Sequence, residues 1–514
     1  MEFLLAAGSF NLSKGTLLIL WIGIAVYVLL MLLIGWLSSR KVGGLGDFLV
    51  AGRRLPLWMA TATLLATWFG AGSSMGVSAT VYSSGIGGVL ADPFGAAISL
   101  ILAGIFIVGV LRKKGCYTVT DIIERRFGKG AGIYASCWMI PVYIGWLGAQ
   151  LLGLGTIMHL LTGMSVVKGT LIGAAVVLLY TCAGGMWAVT LTDVVQVGLI
   201  IIGLVLIIPG AVNLSGGVET LINSIPEKDL SILPASGGSF NDYIYYIGSW
   251  IIMGFGCIVG QDLIQRSLAS KNEQVAVTSS VMSGFFYLLI GAIPIAIGFA
   301  ARIVLPKYGI TEAAMGDNLE NQVLPRMAMI VLGDIHPLLL TVFLSALIAA
   351  IMSSADSSLL AASSLLCKNV IAPLLPKFTD GKLLVLTRIT TIVFTVIATY
   401  LALGAGSIYS LMINSWISQL VVVFLPVMMA LYVPKASREC AWGTMIIGTA
   451  VWLGYSFGAS CGTGMAFTDL LGSDQFDRAV TCGAVYGFVS ALLAFIFCYC
   501  GERIVARCNA EDEK

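Results

Sequence analysis

The chain has 514 residues, of which 58% are hydrophobic and only 11% are charged. A single soluble core cannot bury that much apolar surface, so the composition excludes a soluble globular protein and predicts a protein dissolved in a lipid bilayer. The formal net charge is +2 and the sequence carries no basic arm or tail, which argues against a nucleic-acid partner.

Apolar windows of about twenty residues predict about thirteen membrane-spanning helices, and therefore an all-α polytopic membrane protein. The predicted spans leave no room for a soluble domain, so residues 1–514 are expected to form a single transmembrane domain. In chain order, the predicted spans are 15–37, 57–81, 85–111, 130–163, 167–187, 190–213, 240–265, 274–302, 336–366, 382–404, 407–432, 440–458 and 479–500.

Basic residues in the connecting segments predict the orientation of the chain. Arg40 and Lys41 follow the first span, and Arg112 and Lys113 follow the third. Positively charged loops stay on the cytoplasmic side of a membrane, so the N-terminus is expected outside and the C-terminus in the cytoplasm. The short loops favour a plasma membrane, of the bacterial inner-membrane type.

The second predicted span contains a Gly-Ala-Gly-Ser-Ser run over residues 70–74, directly after Trp68 and Phe69. Such a run favours a break in the helix, and unwound backbone inside a membrane exposes carbonyl oxygens that need a partner, such as an ion. A tryptophan in mid-span beside a break fits either an interfacial anchor or the wall of a cavity.

The ninth predicted span is unusually rich in hydroxyl groups around Ser353 and Ser354. Serines in a membrane helix can bond back to their own helix and permit close helix packing. The same hydroxyls can instead contribute to a binding site for a hard cation such as sodium, which prefers several neutral or anionic oxygens. The residues alone leave both interpretations open.

Few ionisable side chains fall within the predicted spans. Burying such a group in a membrane is costly unless it is paired or hydrated, so each one is a functional candidate. His159 and His336 have no plausible catalytic partner, and the sequence has no metal-ligand, nucleophile or phosphate-loop motif, so no enzymatic activity is predicted. The ionisable candidates are Asp92, Asp193, Asp262, Asp356 and Arg266.

The chain resembles the sodium:solute symporter family over nearly its whole length. The resemblance rests on several motifs taken together, each of which would be weak alone. These motifs are Asp47–Arg53 (DFLVAGR), Gly184–Val189 (GGMWAV), Thr192–Gln196 (TDVVQ), the pair Gln265–Arg266, and Ser353–Ser357 (SSADS).

The resemblance implies a five-plus-five inverted-repeat core with broken helices at the second and seventh spans. The first repeat then covers residues 57–213 and the second covers residues 240–432. Residues 15–37 are expected to form a peripheral first helix, and residues 440–500 two peripheral C-terminal helices.

The resemblance also implies the ligands of a coupling sodium ion. In the family, carbonyls of the second span combine with a carbonyl and two hydroxyls of the ninth. Asp193 matches an aspartate used for a second sodium ion or for sodium release, with a structural cap in a tight helix turn as the alternative. Asp356 and Arg266 are expected to support these sites. By position, the main sodium ligands are Ala66, Phe69, Ala350, Ser353 and Ser354.

Within the family, the chain is most similar to the high-affinity choline transporter branch. Trp68 and Trp146 match positions where that branch places aromatic rings around a quaternary ammonium. Ala96 and Gly260, by contrast, stand where that branch has a tyrosine and another tryptophan. The resemblance therefore implies an aromatic cage from which two rings are missing.

Two aspartates stand near the missing rings and suggest a charge partner for the solute. Asp92 precedes Ala96 by one helical turn, and Asp262 follows Gly260 by two residues. Either carboxylate is expected to pair with a cationic group of the solute, unless it caps a broken helix or bonds to backbone amides. The predicted substrate-binding residues are Trp68, Asp92, Ala96, Trp146, Gly260, Gln261 and Asp262.

These features predict a sodium-coupled symporter that imports a small organic solute by alternating access. The solute is expected to be cationic or zwitterionic, such as a choline-like amine, a betaine or an amino acid. The expected partners are sodium, the solute and the lipid bilayer, and the chain is expected to be a monomer or a weak homodimer. The alternatives are a proton-coupled carrier of a monocarboxylate, an amino acid or another small metabolite, and a membrane sensor that does not transport.

Overall fold

The computed structural model describes residues 14–233, 238–310, 322–333, 336–375, 377–404, 416–461 and 474–512. Within these ranges the chain is almost entirely helical, and the extended contact found there is an isolated parallel bridge between Leu55 and Ser270. The predicted all-α class is therefore confirmed. Of the predicted eleventh span, residues 407–415 lie outside the described ranges.

The helices follow one another with short connections, and several are joined by 3₁₀ or π segments. In the first half they are Lys14–Ser39, Leu45–Val50, Leu57–Trp68, Val77–Ser84, Ala96–Ala103, Gly109–Lys113, Thr120–Phe127, Lys129–Thr162, Val166–Leu214, Val218–Asn223 and Glu227–Leu230. In the second half they are Phe240–Gly254, Gln261–Ala269, Glu273–Lys307, Val323–Gly333, Pro337–Ser364, Ala372–Leu374, Asp380–Gly404, Leu425–Tyr432, Arg438–Cys461 and Asp474–Asp512.

Nine helices among the described residues are long and apolar enough to cross a membrane, and shorter apolar helices accompany them. Large apolar side chains such as Leu29, Leu289 and Val396 are exposed on their outer faces. Apolar surface of this extent is unfavourable in water and suits a hydrocarbon environment. The predicted multi-pass membrane architecture is therefore confirmed, whereas the count of about thirteen spans stays a prediction.

The second predicted span is broken, as the glycine and serine run indicates. Its first half, Leu57–Trp68, ends where Phe69 leaves the helical region with φ −85° and ψ 80°. Its second half is the π segment Gly72–Gly76, which continues as the helix Val77–Ser84. We call these two halves the first broken helix. A Cβ atom on Gly70 would lie 2.4 Å from Ser354 Oγ and 2.6 Å from Gln150 Oε1, so the break requires a residue without a side chain.

The seventh predicted span is also broken, as the resemblance implies. Its halves are Phe240–Gly254 and Gln261–Ala269, and we call them the second broken helix. A short 3₁₀ turn joins them and ends at Gly260, whose ψ of 127° is extended rather than helical. The second half therefore starts inside the protein, where all nine of its residues are buried.

Two further spans deviate from regular helix in ways that the apolar pattern does not show. The third span is irregular at Asp92, with φ −136° and ψ 120°, and Pro93 next to it has no N–H to donate. The helix Val166–Leu214 covers 49 residues without a connecting loop but is kinked at Gly185, where φ is +51°. At 1.5 Å per residue, this kinked helix is long enough for two membrane crossings, with the kink between them.

The helix Pro337–Ser364, which we call the serine-rich helix, occupies the centre of the fold. Its side chains are buried without interruption from Ala346 to Ser364. It packs against the kinked helix, against Lys129–Thr162 and against the first broken helix. A helix buried on all sides places its hydroxyl groups against other protein segments rather than lipid, which positions them for a site.

Candidate functional site

The first broken helix meets the serine-rich helix through two serine hydroxyls. Ser353 Oγ lies 2.8 Å from the carbonyl oxygens of both Ala66 and Ala350. Ser354 donates to the carbonyl oxygen of Thr67 at 2.7 Å. Because the helix ends at Trp68, its last carbonyls lack partners in their own helix, and the serines approach those groups.

The five predicted sodium ligands therefore lie together. The fifth of them, Phe69, follows the helix end directly and lines a small cavity together with Ser74 and Ala350. The donor set consists of main-chain carbonyls and hydroxyls, which are neutral oxygen ligands suited to a hard cation. The carbonyls also belong to the C-terminal end of a half-helix, where the helix dipole favours positive charge.

A charged cluster lies one helical turn from these ligands. Arg266 Nη2 lies 3.5 Å from Asp193 Oδ2 and 3.9 Å from Asp356 Oδ1, and all three side chains are buried. Thr63, three residues before Ala66, donates to Asp193 Oδ2. The structure thus brings together Asp193 and the two residues expected to support it.

The charged cluster is tied to the serine-rich helix through neutral side chains. Arg266 donates to Ser357 Oγ, and Ser357 donates to the carbonyl of Ser353, one of the predicted sodium ligands. Tyr180 donates to Asp356 Oδ2 at 2.8 Å. Asp193 Oδ1 is buried and has no hydrogen-bond partner among the described residues. An unpaired carboxylate oxygen in a buried position is a potential cation ligand.

Aromatic rings gather around Trp68, the last residue of the first half of the first broken helix. The ring centroids of Trp68 and Trp416 are 5.9 Å apart, and those of Trp416 and Trp146 are 4.8 Å apart. Tyr143 adds a fourth ring, 6.4 Å from Trp146. Trp68 and Trp146 are predicted residues, whereas Trp416 and Tyr143 are not. We call these four residues the aromatic cluster.

Asp262 is the carboxylate that contacts the aromatic cluster. Its Oδ2 accepts a hydrogen bond from the indole N–H of Trp68, and its Oδ1 accepts one from the Tyr143 hydroxyl at 2.9 Å. The side chain is only 2% exposed. Asp262 therefore meets the polar edges of Trp68 and Tyr143, which brings an acidic group and aromatic rings, two features that attract cations, into one place.

Asp92 also lies at the first break, but it bonds to different residues from Asp262. Its Oδ1 accepts from the Tyr287 hydroxyl at 2.8 Å, and its Oδ2 lies 2.5 Å from Ser73 Oγ. Both hydroxyls also lie within 3.1 Å of the Trp68 carbonyl oxygen. Asp92 therefore supports the broken backbone through hydroxyl groups, which is closer to the helix-break alternative than to solute pairing.

The remaining predicted substrate residues have different environments. The side chain of Gln261 turns away from the rings, because its Oε1 accepts from the main-chain N–H of Val119 at 2.9 Å. The main-chain N–H of Gln261 donates to the Tyr143 hydroxyl. Ala96 is fully buried at the start of its helix. Gly260 ends the turn in the second broken helix, next to Asp262.

Comparisons with known proteins show the family of the chain. The model of the sodium:solute symporter family matches residues 48–448. High-affinity choline transporter 1 of Torpedo marmorata is 30% identical over 446 residues, which are 83% of this chain and 75% of that protein. The human high affinity choline transporter 1 is 31% identical over 430 residues, which are 80% of this chain and 72% of that protein.

Two more distant matches extend the comparison, one in sequence and one in fold. The sodium/glucose cotransporter of Vibrio parahaemolyticus is 27% identical over 420 residues, which are 77% of each chain. A solved Na⁺-coupled sialic acid symporter superimposes with a TM-score of 0.72 at 19% identity, over 92% of this chain and 98% of that one, which shows a common fold. The chain therefore belongs to the sodium:solute symporter family and couples sodium to the transport of a small solute.

Proposed function

We propose that the solute is a small cation or zwitterion whose positive nitrogen binds beside Asp262 and the aromatic cluster. The observation that supports this proposal most strongly is the buried Asp262 carboxylate, which contacts Trp68 and Tyr143 directly. Cation–π attraction contributes about 2 kcal/mol when the cation is desolvated, and the carboxylate adds charge pairing. The relatives named as choline transporters support the same solute class, because choline is a cation.

Sodium binding and solute binding are coupled through the first broken helix. The proposed sodium ligands Ala66 and Phe69 flank the break, and Trp68 lies between them in sequence. A sodium ion held by these carbonyls and by Ser353 and Ser354 fixes the position of the Trp68 ring. Because the two affinities are linked thermodynamically, the solute strengthens sodium binding by the same factor.

Sodium release proceeds through the charged cluster in this proposal. Asp193 accepts a hydrogen bond from Thr63, which precedes Ala66 by one helical turn, and its Oδ1 has no hydrogen-bond donor in the described ranges. A second sodium ion at Asp193 is compatible with the same geometry. Arg266 lies within 4 Å of both Asp193 and Asp356, which holds the two carboxylates together beside the path proposed for the ion.

The transport cycle is alternating access within the inverted-repeat core, with residues 57–213 as one repeat and 240–432 as the other. The N-terminus is placed outside and the C-terminus in the cytoplasm of a bacterial inner membrane. One positive charge crossing about 100 mV yields about 2.3 kcal/mol, and a tenfold gradient adds about 1.4. One sodium ion per cycle is therefore a sufficient drive for import.

The test is uptake by the full-length protein reconstituted into liposomes. Labelled choline, ethanolamine, glycine and glycine betaine are offered under an inward sodium gradient, an inward potassium gradient or an inward proton gradient. We expect accumulation of at least one of these solutes with sodium only. Accumulation driven by the proton gradient in the absence of sodium would instead favour the proton-coupled alternative, with Asp193 as the proton site.

A further inference from the structure

Three acceptor oxygens converge on the Cα atom of Gly260. A Cβ atom on this glycine would lie 2.9 Å from Asp262 Oδ1, 3.0 Å from the carbonyl oxygen of Cys257 and 3.6 Å from Gln419 Oε1. These three oxygens come from a carboxylate, a main-chain carbonyl and a side-chain amide. The space around these oxygens is too tight for a side chain at residue 260, so a group that donates hydrogen bonds to them must approach from beyond the Cβ position.

Gln419 carries an unsatisfied acceptor into this space. Its side chain is 1% exposed, and its Nε2 donates to the Tyr143 hydroxyl at 3.2 Å. Its Oε1 is buried and accepts no hydrogen bond within the described part of the chain. A buried amide oxygen without a donor is costly. Gln419 differs from other such residues in its position beside Tyr143 and Asp262, where a bound solute can supply the donor.

The other two oxygens retain capacity for a second hydrogen bond. Asp262 Oδ1 accepts from the Tyr143 hydroxyl at 2.9 Å, and the Cys257 carbonyl accepts from the Gly260 N–H at 2.9 Å. Carbonyl and carboxylate oxygens each have two lone pairs. Tyr143 belongs to the aromatic cluster, and Gln419 follows Trp416 by one helical turn, so the three oxygens border the proposed solute site.

We infer that the positive nitrogen of the solute carries hydrogens, so that the site selects primary or secondary ammonium groups over quaternary ones. The inference rests on the proposed function and names the chemical form of the cation. An ammonium placed beside Gly260 donates N–H bonds to Asp262, Gln419 and the Cys257 carbonyl. A quaternary nitrogen has no N–H and leaves the Gln419 oxygen buried and unpaired, which selects against it.

The experiment is a methylation series measured on purified full-length protein in sodium and in potassium buffer. The probes are ethanolamine with zero to three N-methyl groups, ending at choline, and glycine with zero to three, ending at glycine betaine. Dissociation constants are measured by calorimetry. In sodium, we expect the unmethylated member of the bound series to bind about tenfold or more tightly than the fully methylated one.

Two variants locate this preference in the structure. Gln419→Met removes the acceptor at similar volume and is expected to reduce the preference to less than about threefold. Gln196→Met is the matched control, because Gln196 is also buried with an unpaired Oε1 but bonds to Tyr27. It is expected to keep the preference of the natural protein. If Gln419→Met does not fold, the ranking measured with the natural protein decides the matter.

Two outcomes overturn the inference and separate it from the proposed function. If binding depends on sodium but the quaternary compound binds as tightly as the primary one or more tightly, the ammonium subsite is wrong and the proposal of a cationic solute still stands. Absence of sodium-dependent binding in both series removes the subsite and also contradicts the proposed solute class. An unchanged preference in Gln419→Met would show that Gln419 does not create it.

Discussion

Ser354 donates its hydroxyl proton to the main-chain carbonyl of Thr67, at 2.7 Å. The adjacent Ser353 makes the equivalent contact with Ala66 at 2.8 Å. Both contacts join the centre of the serine-rich helix to the last turn of the first broken helix. A cation that binds these hydroxyls and carbonyls would hold these two helices at a fixed distance. In the proposed cycle the two helices belong to opposite repeats, so the ion would control their relative movement.

Removing either hydroxyl should weaken sodium coupling. We expect Ser353→Ala and Ser354→Ala to raise the sodium concentration for half-maximal solute binding by about tenfold or more, because each loses an oxygen ligand of the ion. Sodium titrations of solute binding measure this change. Ser363→Ala is the matched control, since Ser363 is a buried serine of the same helix that bonds only within it, to Leu359 and Leu360.

An unchanged sodium requirement in both serine variants would contradict the sodium site. Equal shifts in both serine variants and in Ser363→Ala would also contradict it, because the effect would then come from helix packing in general.

Adding a methyl group at the first break should disturb the same site. In Gly70→Ala the new Cβ would lie 2.4 Å from Ser354 Oγ and 2.6 Å from Gln150 Oε1, so the helices must move apart. We expect a loss of about 1–3 kcal/mol in stability and a smaller rise in melting temperature on sodium addition. In Gly198→Ala no atom lies within 4 Å of the new group, so we expect unchanged stability and an unchanged rise in melting temperature with sodium. Equal behaviour of the two variants would contradict the close approach at Gly70.

The sequence predicts this break and the serines because both depend on local composition. A glycine and serine run in an apolar span and a dense group of hydroxyls are visible without knowledge of helix packing. Trp416 is not predictable in the same way. The chain has 11 tryptophans, and an apolar span shows no polarity difference that would reveal which one faces Trp68.

The direction of individual side chains is similarly hidden from sequence. Gln261 and Asp262 are neighbours at the start of a helix, so their side chains point about 100° apart, which follows from about 3.6 residues per turn. Asp262 faces the aromatic cluster, whereas Gln261 bonds to Val119. Position in the chain predicts that both lie near the site, but only the packing around each shows which one contacts the rings.

The two aspartates near the first break should differ in their effect on the solute. We expect Asp262→Asn to weaken binding of a cationic solute by about tenfold to a hundredfold, because a charge-assisted contact contributes about 1.5–3 kcal/mol. Asp92→Asn should weaken binding less, since Asp92 bonds to Ser73 and Tyr287, whose hydroxyls bond the Trp68 main chain, whereas Asp262 bonds the Trp68 ring itself. Calorimetry with the best probe of the methylation series measures both. A larger loss in Asp92→Asn would reverse the assignment.

Trp416 should contribute to solute binding as strongly as the predicted tryptophans. We expect Trp416→Leu to lower solute affinity by about tenfold or more, because a desolvated cation–π contact contributes about 2 kcal/mol. Trp58→Leu is the matched control, since Trp58 is 59% exposed on the outer surface. Unaltered affinity in Trp416→Leu, with the protein folded, would show that this ring does not contact the solute.

The most direct test of the account is whether sodium and the cationic solute strengthen each other's binding through Ser353 and Ser354. Calorimetry measures the solute dissociation constant with and without sodium, and the sodium dissociation constant with and without solute. We expect sodium to lower the solute dissociation constant, and the solute to lower the sodium dissociation constant, by the same factor of about ten or more. In Ser353→Ala and Ser354→Ala we expect this factor to fall towards one. Solute binding of equal strength in sodium and potassium would contradict the account.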